Sequence, residues 1–590
     1  MTVIVALKLR NGNELEGLIQ STYDSGSSNF RQFLTPDQFS ARFGPTADSV
    51  AQVTRHLQGA GLTVERTSIT QLSVTGRMSV IEREFGVSLH MFEVPATADA
   101  ATFRFRGPAG AAQVSAQIAG DVEAVVGLNN RPHLRPMIRR APSTSRGNVL
   151  HPATAAPNTP DPPGEWTVAD LAQYYDVLPL YQHGLSGKNR TIGIVTFAAF
   201  TPKDAFAYWA SLGLHVDPHR IEIVNVDGGP GAPSDASGSD ETTLDVEQSG
   251  GLAPGAKMIV YQAPNTDQGF VDVFAQAIGS NRADAISTSW GEWEEFLVQG
   301  TQVSDPDAAG ALRATHNLFI QAAIQGQSLS AASGDSGSYD AAEIFPPPGF
   351  SNVLAVDHPA ADPYVLAAGG TTLPGKQLFT LNDGSTFTVN VAQERAWSWD
   401  YLNGLCASLG FDPISCGIFP VGGGGGVSVV YPVPFYQLGV PGLRSSEPQQ
   451  VLTDLTQTPP QNLIRLPAHF PGRNLPDISL NADPDTGYTI FYTSDVDGFG
   501  VLTFFGGTSF VAPQLAGITA LLDQNSGGRV GLLNFALYAL AQQGAGYSGG
   551  HAPLRDIRKG NNEFYNAGAG YDQASGLGVL DVANLADALR

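Results

Sequence analysis

The chain has 590 residues, of which 42% are hydrophobic and 15% are charged, so it exceeds the size of a single core and at least two domains are expected. No apolar run approaches the length of about 18 residues that a membrane span needs, and the net charge of -23 disfavours nucleic acid as a partner. The opening MTVIVALKLRNG lacks the long apolar segment of a signal peptide, which leaves the route of any export open.

The first 130 residues predict a small α+β domain. Helical spacing after a threonine cap occurs in TPDQFSARFG and in PTADSVAQVTRHLQGAGLTVE, and MSVIEREFGVSLHMFEV indicates a helix followed by a strand. Residues 131–164 contain eight prolines without a convincing periodicity, which predicts an exposed linker. The charge changes at the same place, since residues 1–150 carry a net +3 and the remainder carries -26.

The remaining residues, 165–590, predict a parallel α/β sheet. Helix-length segments separate five predicted strands, which are TIGIVTF, KMIVYQAP, ADAISTSWG, SLSAASGD and YVLAAGGTTL. Cys406 and Cys416 are the two cysteines of the chain, and they form neither a CxxC nor a zinc pattern. We interpret them as a local disulfide of an exported protein, with two free thiols as the alternative.

The stretch FFGGTSFVAPQ, residues 504–514, predicts a serine at the start of a helix. Gly506 and Gly507 allow a tight turn before Ser509, and Pro513 suits a first helical turn. A nucleophilic serine needs a base, usually a histidine. His183 is followed by a glycine but precedes the first predicted strand, and that strand ends without an aspartate. The context of a histidine-dependent subtilisin is therefore absent.

Two acidic residues in SDETTLDVEQSGG offer another base. Glu241 and Asp245 are four residues apart, so a helix places them on the same face, one turn from each other. Burial of such a pair favours a shared proton, because like charges in close contact repel. A solvated acidic helix face is the alternative that the spacing alone leaves open.

Six segments in order along the chain resemble the sedolisin (S53) family of serine-carboxyl peptidases. They are DETTLDVE, ISTSWG, AASGDSGS, GGGGGVSVVYPVPFYQ, GRNLPDISLNADPDTGY and GGTSFVAP. FLTPDQFSARFG and HLQGAGLTV are similar to the activation prodomain of that family. The resemblance implies a ferredoxin-like prodomain over residues 1–130, a processing site in the linker 131–164, and a peptidase domain over 165–590. That domain would have a subtilisin-like, doubly wound α/β fold with a mostly parallel sheet.

The resemblance also implies catalytic roles. Ser509 would attack the scissile carbonyl, Glu241 would act as the general base, and Asp245 would orient Glu241. Asp335 would complete the oxyanion hole with a backbone N–H group, and it can donate only when it is protonated. Both carboxyl functions suit an enzyme that works at acidic pH.

The resemblance further implies one structural Ca²⁺ ion near the end of the chain. Asp556 and Asp572 would supply carboxylates, and Ile557, Gly568 and Gly570 would supply carbonyl oxygens, which are the ligands that calcium prefers. Without the resemblance, the segment would be a glycine-rich surface loop.

One departure from the family pattern is Thr196, which stands where some members carry an additional acidic residue, so an extended hydrogen-bond network is in doubt. Trp290 keeps its place, and we expect a structural role for it.

We expect an acid-acting endopeptidase that is made as a zymogen, exported, monomeric and active on proteins or peptides. The prodomain would act as an intramolecular inhibitor and chaperone, held by the opposite charges of the two domains until acid neutralises carboxylates. Two alternatives stay open from the sequence: a subtilisin-type protease with a histidine base, and a non-catalytic, calcium-stabilised binding protein on a protease scaffold.

Overall fold

The computed structural model describes residues 1–94, 102–141, 161–294, 306–380, 385–544 and 546–590. The N-terminal unit contains the elements β1 (Thr2–Leu7), α1 (Gly12–Tyr23), α2 (Pro36–Phe43), α3 (Ala47–Gly59), β2 (Thr63–Arg66), β3 (Gln71–Thr75), α4 (Met78–Glu84), β4 (Leu89–Val94), β5 (Phe103–Pro108) and β6 (Val122–Val126). Its main sheet is antiparallel with the order β2-β3-β1-β6. This is the strand order of a ferredoxin-like fold, which confirms the predicted small α+β domain.

Local sequence explains the helix starts in this unit. Thr35 caps α2 by accepting from the Gln38 N–H, and the Gln38 side chain accepts from the Thr35 N–H in return. Thr46 caps α3 by accepting from the N–H of Ser49, without a reciprocal bond. Both predicted threonine caps are confirmed.

The linker contributes two short strands, β7 (Arg135–Pro136) and β8 (Arg139–Arg140). Helices in the C-terminal unit are α5 (Val168–Tyr174), α6 (Leu178–Gln182), α7 (Pro202–Ser211), α8 (Ser239–Leu252), α9 (Asp267–Gly279), α10 (Pro306–Gln325), α11 (Asn403–Ser408), α12 (Thr508–Asn525), α13 (Leu533–Gln542) and α14 (Val582–Ala588). None of the helices in the described ranges is both long and apolar enough to cross a bilayer.

Strands in the same unit are β9 (Thr191–Thr196), β10 (Ile221–Asn225), β11 (Lys257–Gln262), β12 (Ala285–Thr288), β13 (Trp290–Trp293), β14 (Ser328–Ala332), β15 (Asp357–His358), β16 (Leu366–Thr372), β17 (Gly375–Thr380), β18 (Thr386–Val391), β19 (Arg395–Ala396), β20 (Gly426–Pro432), β21 (Val451–Asp454), β22 (Gln461–Arg465), β23 (Gly472–Leu475), β24 (Ile478–Asn481), β25 (Tyr488–Ser494), β26 (Gly498–Gly506), β27 (Leu554–Arg555) and β28 (Val579–Leu580).

A mostly parallel sheet forms the centre of this unit. Its order is β10-β11-β9-β12-β14-β16-β19, with β24 also paired to β16, and the β16–β19 pair is antiparallel. The five predicted strands correspond to β9, β11, β12, β14 and β16. Central strands such as β12 and β14 are buried along their whole length, as their continuous apolar or small-residue sequences predict.

Helices α8 and α12 pack against each other and bring the two parts of the site together. A Cβ atom built on Gly517 of α12 would lie 2.8 Å from the Ser249 carbonyl oxygen of α8. Glycine at this position therefore permits a close approach of the two helix backbones. The N-terminal turns of both helices lie at the carboxyl edge of the sheet, where α/β proteins place their sites.

The prodomain covers the helices on one face of this unit. Ile4 and Val126 of its sheet belong to one buried apolar cluster with Val271 of α9 and Ala314 of α10. The Tyr23 ring stacks on the ring of Phe535 with a centroid distance of 4.1 Å. This apolar contact holds the N-terminal unit against the C-terminal unit.

The linker prediction is wrong for residues 131–141. Strand β7 pairs with β13, and β8 pairs with β26, so this segment lies across the C-terminal unit and is not an exposed linker. The reason is tertiary: the unpaired N–H and C=O groups of β13 and β26 accept an extended chain of almost any sequence. Residues 142–160 lie outside the described residues.

The two cysteines form the interpreted local disulfide. The Sγ atoms of Cys406 and Cys416 are 1.98 Å apart, and the Cα atoms are 5.9 Å apart. The bond closes the short loop that follows α11.

Candidate active site

Ser509 is the second residue of α12 and is fully buried. The turn before it requires Gly507, whose φ of 108° is unfavourable for other residues. Because α12 begins at Thr508, Pro513 lies in the second turn, which differs from the predicted first turn. Pro513 has no N–H to donate to the Ser509 carbonyl, and that oxygen accepts from the Ser289 hydroxyl instead, at 3.2 Å.

Glu241 is the residue that contacts the nucleophile. The Ser509 hydroxyl donates to Glu241 Oε2 across 2.8 Å, and Glu241 has no exposed surface. Burial and the nearby Asp245 raise the pKa of Glu241 well above its ordinary value, and the Ser509 hydrogen bond partly opposes this. Among the described side chains, no histidine hydrogen-bonds this hydroxyl.

Asp245 lies one turn further along α8. Its Oδ1 atom is 2.6 Å from the Ser289 hydroxyl, and burial raises its pKa well above the ordinary value. Glu241 Oε1 and Asp245 Oδ2 are both buried without a hydrogen-bond partner among the described atoms. Two buried carboxyls that cannot both carry charge favour a pair that holds one proton.

Asp335 follows β14 in the chain, and its carboxylate lies at the N-terminus of α12. Its Oδ1 atom accepts from the N–H and the hydroxyl of Thr508, at 2.8 and 2.9 Å. Its Oδ2 atom has no hydrogen-bond partner among the described atoms. Burial raises the pKa of Asp335 to about 7, against the opposing effect of the Arg139 charge and the Thr508 hydrogen bonds. At acidic pH the group is protonated and can donate.

The linker segment 131–141 occupies the cleft beside these residues. The Ser509 N–H donates to the Met137 carbonyl oxygen at 3.1 Å, and the Met137 N–H donates to the Ser289 carbonyl oxygen at 3.0 Å. A Cβ atom built on Gly507 would lie 2.2 Å from the Met137 oxygen and 2.5 Å from Asp335 Oδ2. The two oxygens therefore border the same small space, next to the nucleophile.

At the position where the sequence has Thr196 in place of an acidic residue, the hydrogen-bond network beside Glu241 consists of neutral groups. The Trp290 indole N–H donates to the Thr196 hydroxyl at 3.1 Å, and the hydroxyls of Thr196 and Thr242 are 2.6 Å apart. Trp290 also packs edge-on against Phe197 with a centroid distance of 5.8 Å. Thr242 is the neighbour of Glu241 on α8, so this network fixes that helix without adding a charge.

The predicted calcium ligands lie together near the end of the chain. Asp572 accepts from the Gly568 N–H at 2.7 Å, and Asp556 accepts from the Gly570 N–H at 3.2 Å, so both carboxylates converge on one glycine-rich turn. Ile557 is buried next to Asp556. Among the described residues, no three His, Cys, Asp or Glu side chains are grouped to hold a metal, so carbonyl oxygens would have to complete the shell. Two carboxylates with backbone carbonyls are hard oxygen donors, which fit calcium.

Sequence reasoning missed two parts of the site. The first is Ser289, whose hydroxyl and carbonyl contact Asp245, Ser509 and Met137. The second is the segment 131–141, whose proline content suggested a solvated linker. No local sequence pattern indicates that either of them belongs to the site, because their contacts are with elements that are distant in the chain.

Two family models match the chain. Residues 1–131 match the model described as "Pro-kumamolisin, activation domain", and residues 231–528 match the model described as "Subtilase family". The fold and these matches define the class of the protein as a subtilisin-like serine peptidase that is preceded by an activation domain.

Similar proteins identify the family. Kumamolisin of Bacillus sp. (strain MN-32) is 31% identical over 98% of this chain and 89% of its own length. Sedolisin of Pseudomonas sp. (strain 101) is 28% identical over 100% of this chain and 87% of its own length. A solved structure of Pseudomonas sedolisin, a serine-carboxyl proteinase complexed with two molecules of pseudo-iodotyrostatin, has 24% identity and a TM-score of 0.52 over 72% of this chain and 98% of its own, which supports the fold. The chain belongs to the sedolisin (S53) family of serine-carboxyl peptidases.

Proposed function

We propose that this protein is an acid-acting serine-carboxyl endopeptidase that hydrolyses peptide bonds through an acyl-enzyme. The observation that carries the proposal is the 2.8 Å hydrogen bond from the Ser509 hydroxyl to the buried Glu241 carboxyl. A buried carboxylate within hydrogen-bond distance is a base in position to take the hydroxyl proton.

In the proposed reaction, Ser509 Oγ attacks the carbonyl carbon of the substrate while Glu241 accepts the hydroxyl proton. The negative oxygen of the tetrahedral intermediate is stabilised by the Ser509 N–H and by protonated Asp335. Glu241 then gives its proton to the leaving amine, and an ester on Ser509 remains. A water molecule, deprotonated by Glu241, hydrolyses this ester and restores the free hydroxyl.

Asp245 is proposed to keep Glu241 in its charged form, in which Glu241 can accept the Ser509 proton. If the pair holds one proton, placing that proton on Asp245 leaves Glu241 charged toward Ser509. Ser289 supports this distribution, since its oxygen can accept from protonated Asp245 while its own proton goes to the Ser509 carbonyl. Protonated Asp245 then donates to the Ser289 hydroxyl, and this hydroxyl donates to the Ser509 carbonyl of α12, so each group in the chain has a partner.

The proposed pH range follows from two opposite requirements. Activity needs one charged carboxyl in the Glu241–Asp245 pair, so it is lost at a pH low enough to protonate both groups. Activity also needs protonated Asp335, whose pKa of about 7 sets the upper limit. We infer an optimum on the acidic side of neutrality.

The prodomain is proposed to be the inhibitor of this zymogen and an aid to its folding. Its own linker occupies the cleft, and the five linker arginines, which bring residues 1–150 to +3 against -26 for the rest, favour association at neutral pH. Acid would protonate carboxylates in the catalytic unit and weaken the complex. If the separately added prodomain inhibited equally well at pH 4 and pH 7, this electrostatic trigger would be wrong.

We propose one structural Ca²⁺ ion held by Asp556, Ile557, Gly568, Gly570 and Asp572. The ion would fix the C-terminal turn and would take no part in the reaction. We also propose that the enzyme is exported and monomeric; the Cys406–Cys416 disulfide supports an oxidising compartment.

Acid incubation of the purified full chain, with the Ser509→Ala variant beside it, tests the function. We expect self-cleavage and digestion of casein by the wild type below pH 7, and neither by the variant. Peak activity above pH 8 that survives Glu241→Gln would favour a different base and would contradict the proposal.

A further inference from the structure

The segment 131–141 is bound in the cleft as an added β-strand on both sides of one peptide bond. Before that bond, Pro136 lies opposite Trp290 and Arg135 opposite Gly291 in an antiparallel pair. After it, Arg139 lies opposite Gly506 in a second antiparallel pair. Strand addition of this kind is a general way to present an extended peptide to a protein. Three peptide bonds lie between Pro136 and Arg139, and Met137–Ile138 is the central one.

The carbonyl of that bond lies where the reaction needs it. It accepts from the N–H of the nucleophile Ser509, and its oxygen shares one small space with Asp335 Oδ2, which has no hydrogen-bond partner among the described atoms. The Met137 N–H is fixed by the Ser289 carbonyl on the other side. The Ser509 N–H, one of the two groups that would stabilise an oxyanion, therefore polarises this carbonyl, and the other group, Asp335, lies beside it.

We propose that Met137–Ile138 is the first bond that the enzyme hydrolyses, in its own chain, and that this segment displays the sequence that the cleft prefers. The preferred features are an unbranched apolar residue before the bond and an arginine at the second position after it. This inference rests on the proposed function. Ser509 Oγ bonds to the Met137 carbonyl carbon, the bond to the Ile138 nitrogen breaks, and that nitrogen receives the proton that Glu241 took from Ser509. Hydrolysis of the ester by water then leaves a Met137 carboxylate.

The side chains next to the bond explain these preferences. Met137 is 2% exposed and belongs to the main hydrophobic cluster of the catalytic unit, so its pocket is closed and apolar. The Arg139 guanidinium pairs with the Glu343 carboxylate and lies 4.0 Å from Asp335 Oδ2. Burial opposes ionisation of Glu343, but the Arg139 charge, the Ser336 hydrogen bond and the Arg135 charge together keep the pKa of Glu343 below its ordinary value. A neutral residue at position 139 would leave this partly buried carboxylate without its charged partner, with the Ser336 hydroxyl as its remaining side-chain donor.

Contacts further upstream fix the register of the segment. The Asn265 side chain accepts from the Leu134 N–H at 3.1 Å and donates to the Leu134 carbonyl at 2.8 Å. His133 lies 2.9 Å from both Asp267 and Glu292, and its pKa is well above the ordinary value because these carboxylates outweigh its burial. A slip by one residue would break both contacts, so the bond over Ser509 is well determined.

The first test follows self-processing of the full chain. The chain is brought to pH 4, quenched at short times, and its new termini are identified by mass spectrometry, with casein digestion measured in parallel. We expect Met137 as the first new C-terminus and Ile138 as the first new N-terminus, with a half-time independent of protein concentration over a hundredfold dilution. Ile138→Pro should remove this product, whereas the matched Ile138→Val should retain it.

The outcomes separate this inference from the proposed function. A first cut at another bond, with casein digested, overturns the inference and leaves the function intact. A segment that remains uncleaved while casein is digested also overturns it, since the segment is then an inhibitor only. Absence of both activities in the wild type overturns the function and the inference together.

The second test measures the preference with the peptide RPHLRPMIRRA, which is residues 131–141, and the activated enzyme. Replacing Arg139 by Ala in the peptide should lower kcat/KM about tenfold or more, as loss of a charge-assisted pair predicts. Glu343→Gln in the enzyme should reduce that difference to about twofold or less. Arg140→Ala in the peptide is the control, because Arg140 lies over the Phe505 ring and its effect should not depend on Glu343. Equal rates for the unsubstituted peptide and the peptide with Arg139→Ala would contradict the preference.

Discussion

The substitution Asp335→Asn tests the oxyanion role most directly. In the wild type, Oδ1 accepts two hydrogen bonds from Thr508, and Oδ2 lies beside the carbonyl oxygen in the cleft without a hydrogen bond from the described atoms. An asparagine can keep its oxygen toward Thr508 and place its NH₂ group at the position of Oδ2. The variant therefore has a donor at every pH, whereas the wild type has one only when Asp335 is protonated.

The expected magnitude follows from the pKa of Asp335, which is about 7. About half of the molecules carry the proton at pH 7 and about 1% at pH 9, so this group alone should lower the wild-type rate about fiftyfold between these pH values. The Asn variant should lack this decrease. Asp335→Ala removes the donor altogether and should lower the rate about 10²- to 10³-fold at all pH values.

The assay is the first-order rate of self-processing of the full chain between pH 4 and pH 9. The ratio of the Asn rate to the wild-type rate at each pH cancels effects of pH on the rest of the molecule, and circular dichroism checks that each variant is folded. We expect this ratio to increase steadily above pH 7. If the two profiles decrease in parallel, or if Asp335→Ala loses less than about threefold, Asp335 is not the oxyanion donor.

Four further predictions concern the general base, the Ser289 hydroxyl, the titration of three aspartates and the calcium site. Glu241→Gln keeps the shape of the buried pair but removes the base, so kcat should fall about 10²- to 10⁴-fold with little change in Tm; an active variant would exclude Glu241. Ser289→Ala leaves Asp245 Oδ1 without its partner, so we expect a shifted acidic limb of the pH–rate profile and a loss of about 1–3 kcal/mol in the free energy of unfolding, and an unchanged limb would speak against the donor chain. Asp335 and Asp523 are buried and Asp272 is partly buried. Their pKa values of about 7, 7 and 8 lie above the 3.8 of an exposed aspartate, so their protonation stabilises the fold at low pH and this stability is lost as the pH rises through those values. Denaturant unfolding of Ser509→Ala should therefore give a larger free energy at pH 4 than at pH 8, with Asp335 alone contributing about 4 kcal/mol, and the reverse order would contradict this. A calcium chelator should lower the Tm of Ser509→Ala but not that of Ser509→Ala with Asp572→Asn; equal shifts would place the ion elsewhere.

Local sequence determined much of the architecture. The apolar strands from residue 191 to residue 372 were predictable because strands of a parallel sheet are buried on both faces and need continuous apolar or small residues. The threonine caps of α2 and α3 were predictable because a side-chain oxygen beside free helical N–H groups is a local requirement. The candidate residues Ser509, Glu241, Asp245 and Asp335 were found through motif order, since the spacing of Glu241 and Asp245 by itself did not exclude a solvated face.

Only the tertiary structure decided how these residues meet and what lies over them. Ser509 and Glu241 are 268 residues apart, and their contact depends on the packing of α12 on α8. Ser289 became part of the site because Pro513 leaves a helix carbonyl without its usual donor. The segment 131–141 has no periodicity of its own, and it is ordered by the free edges of β13 and β26. Burial, which raises the carboxyl pKa values, likewise arises only when the whole sheet and its helices are assembled.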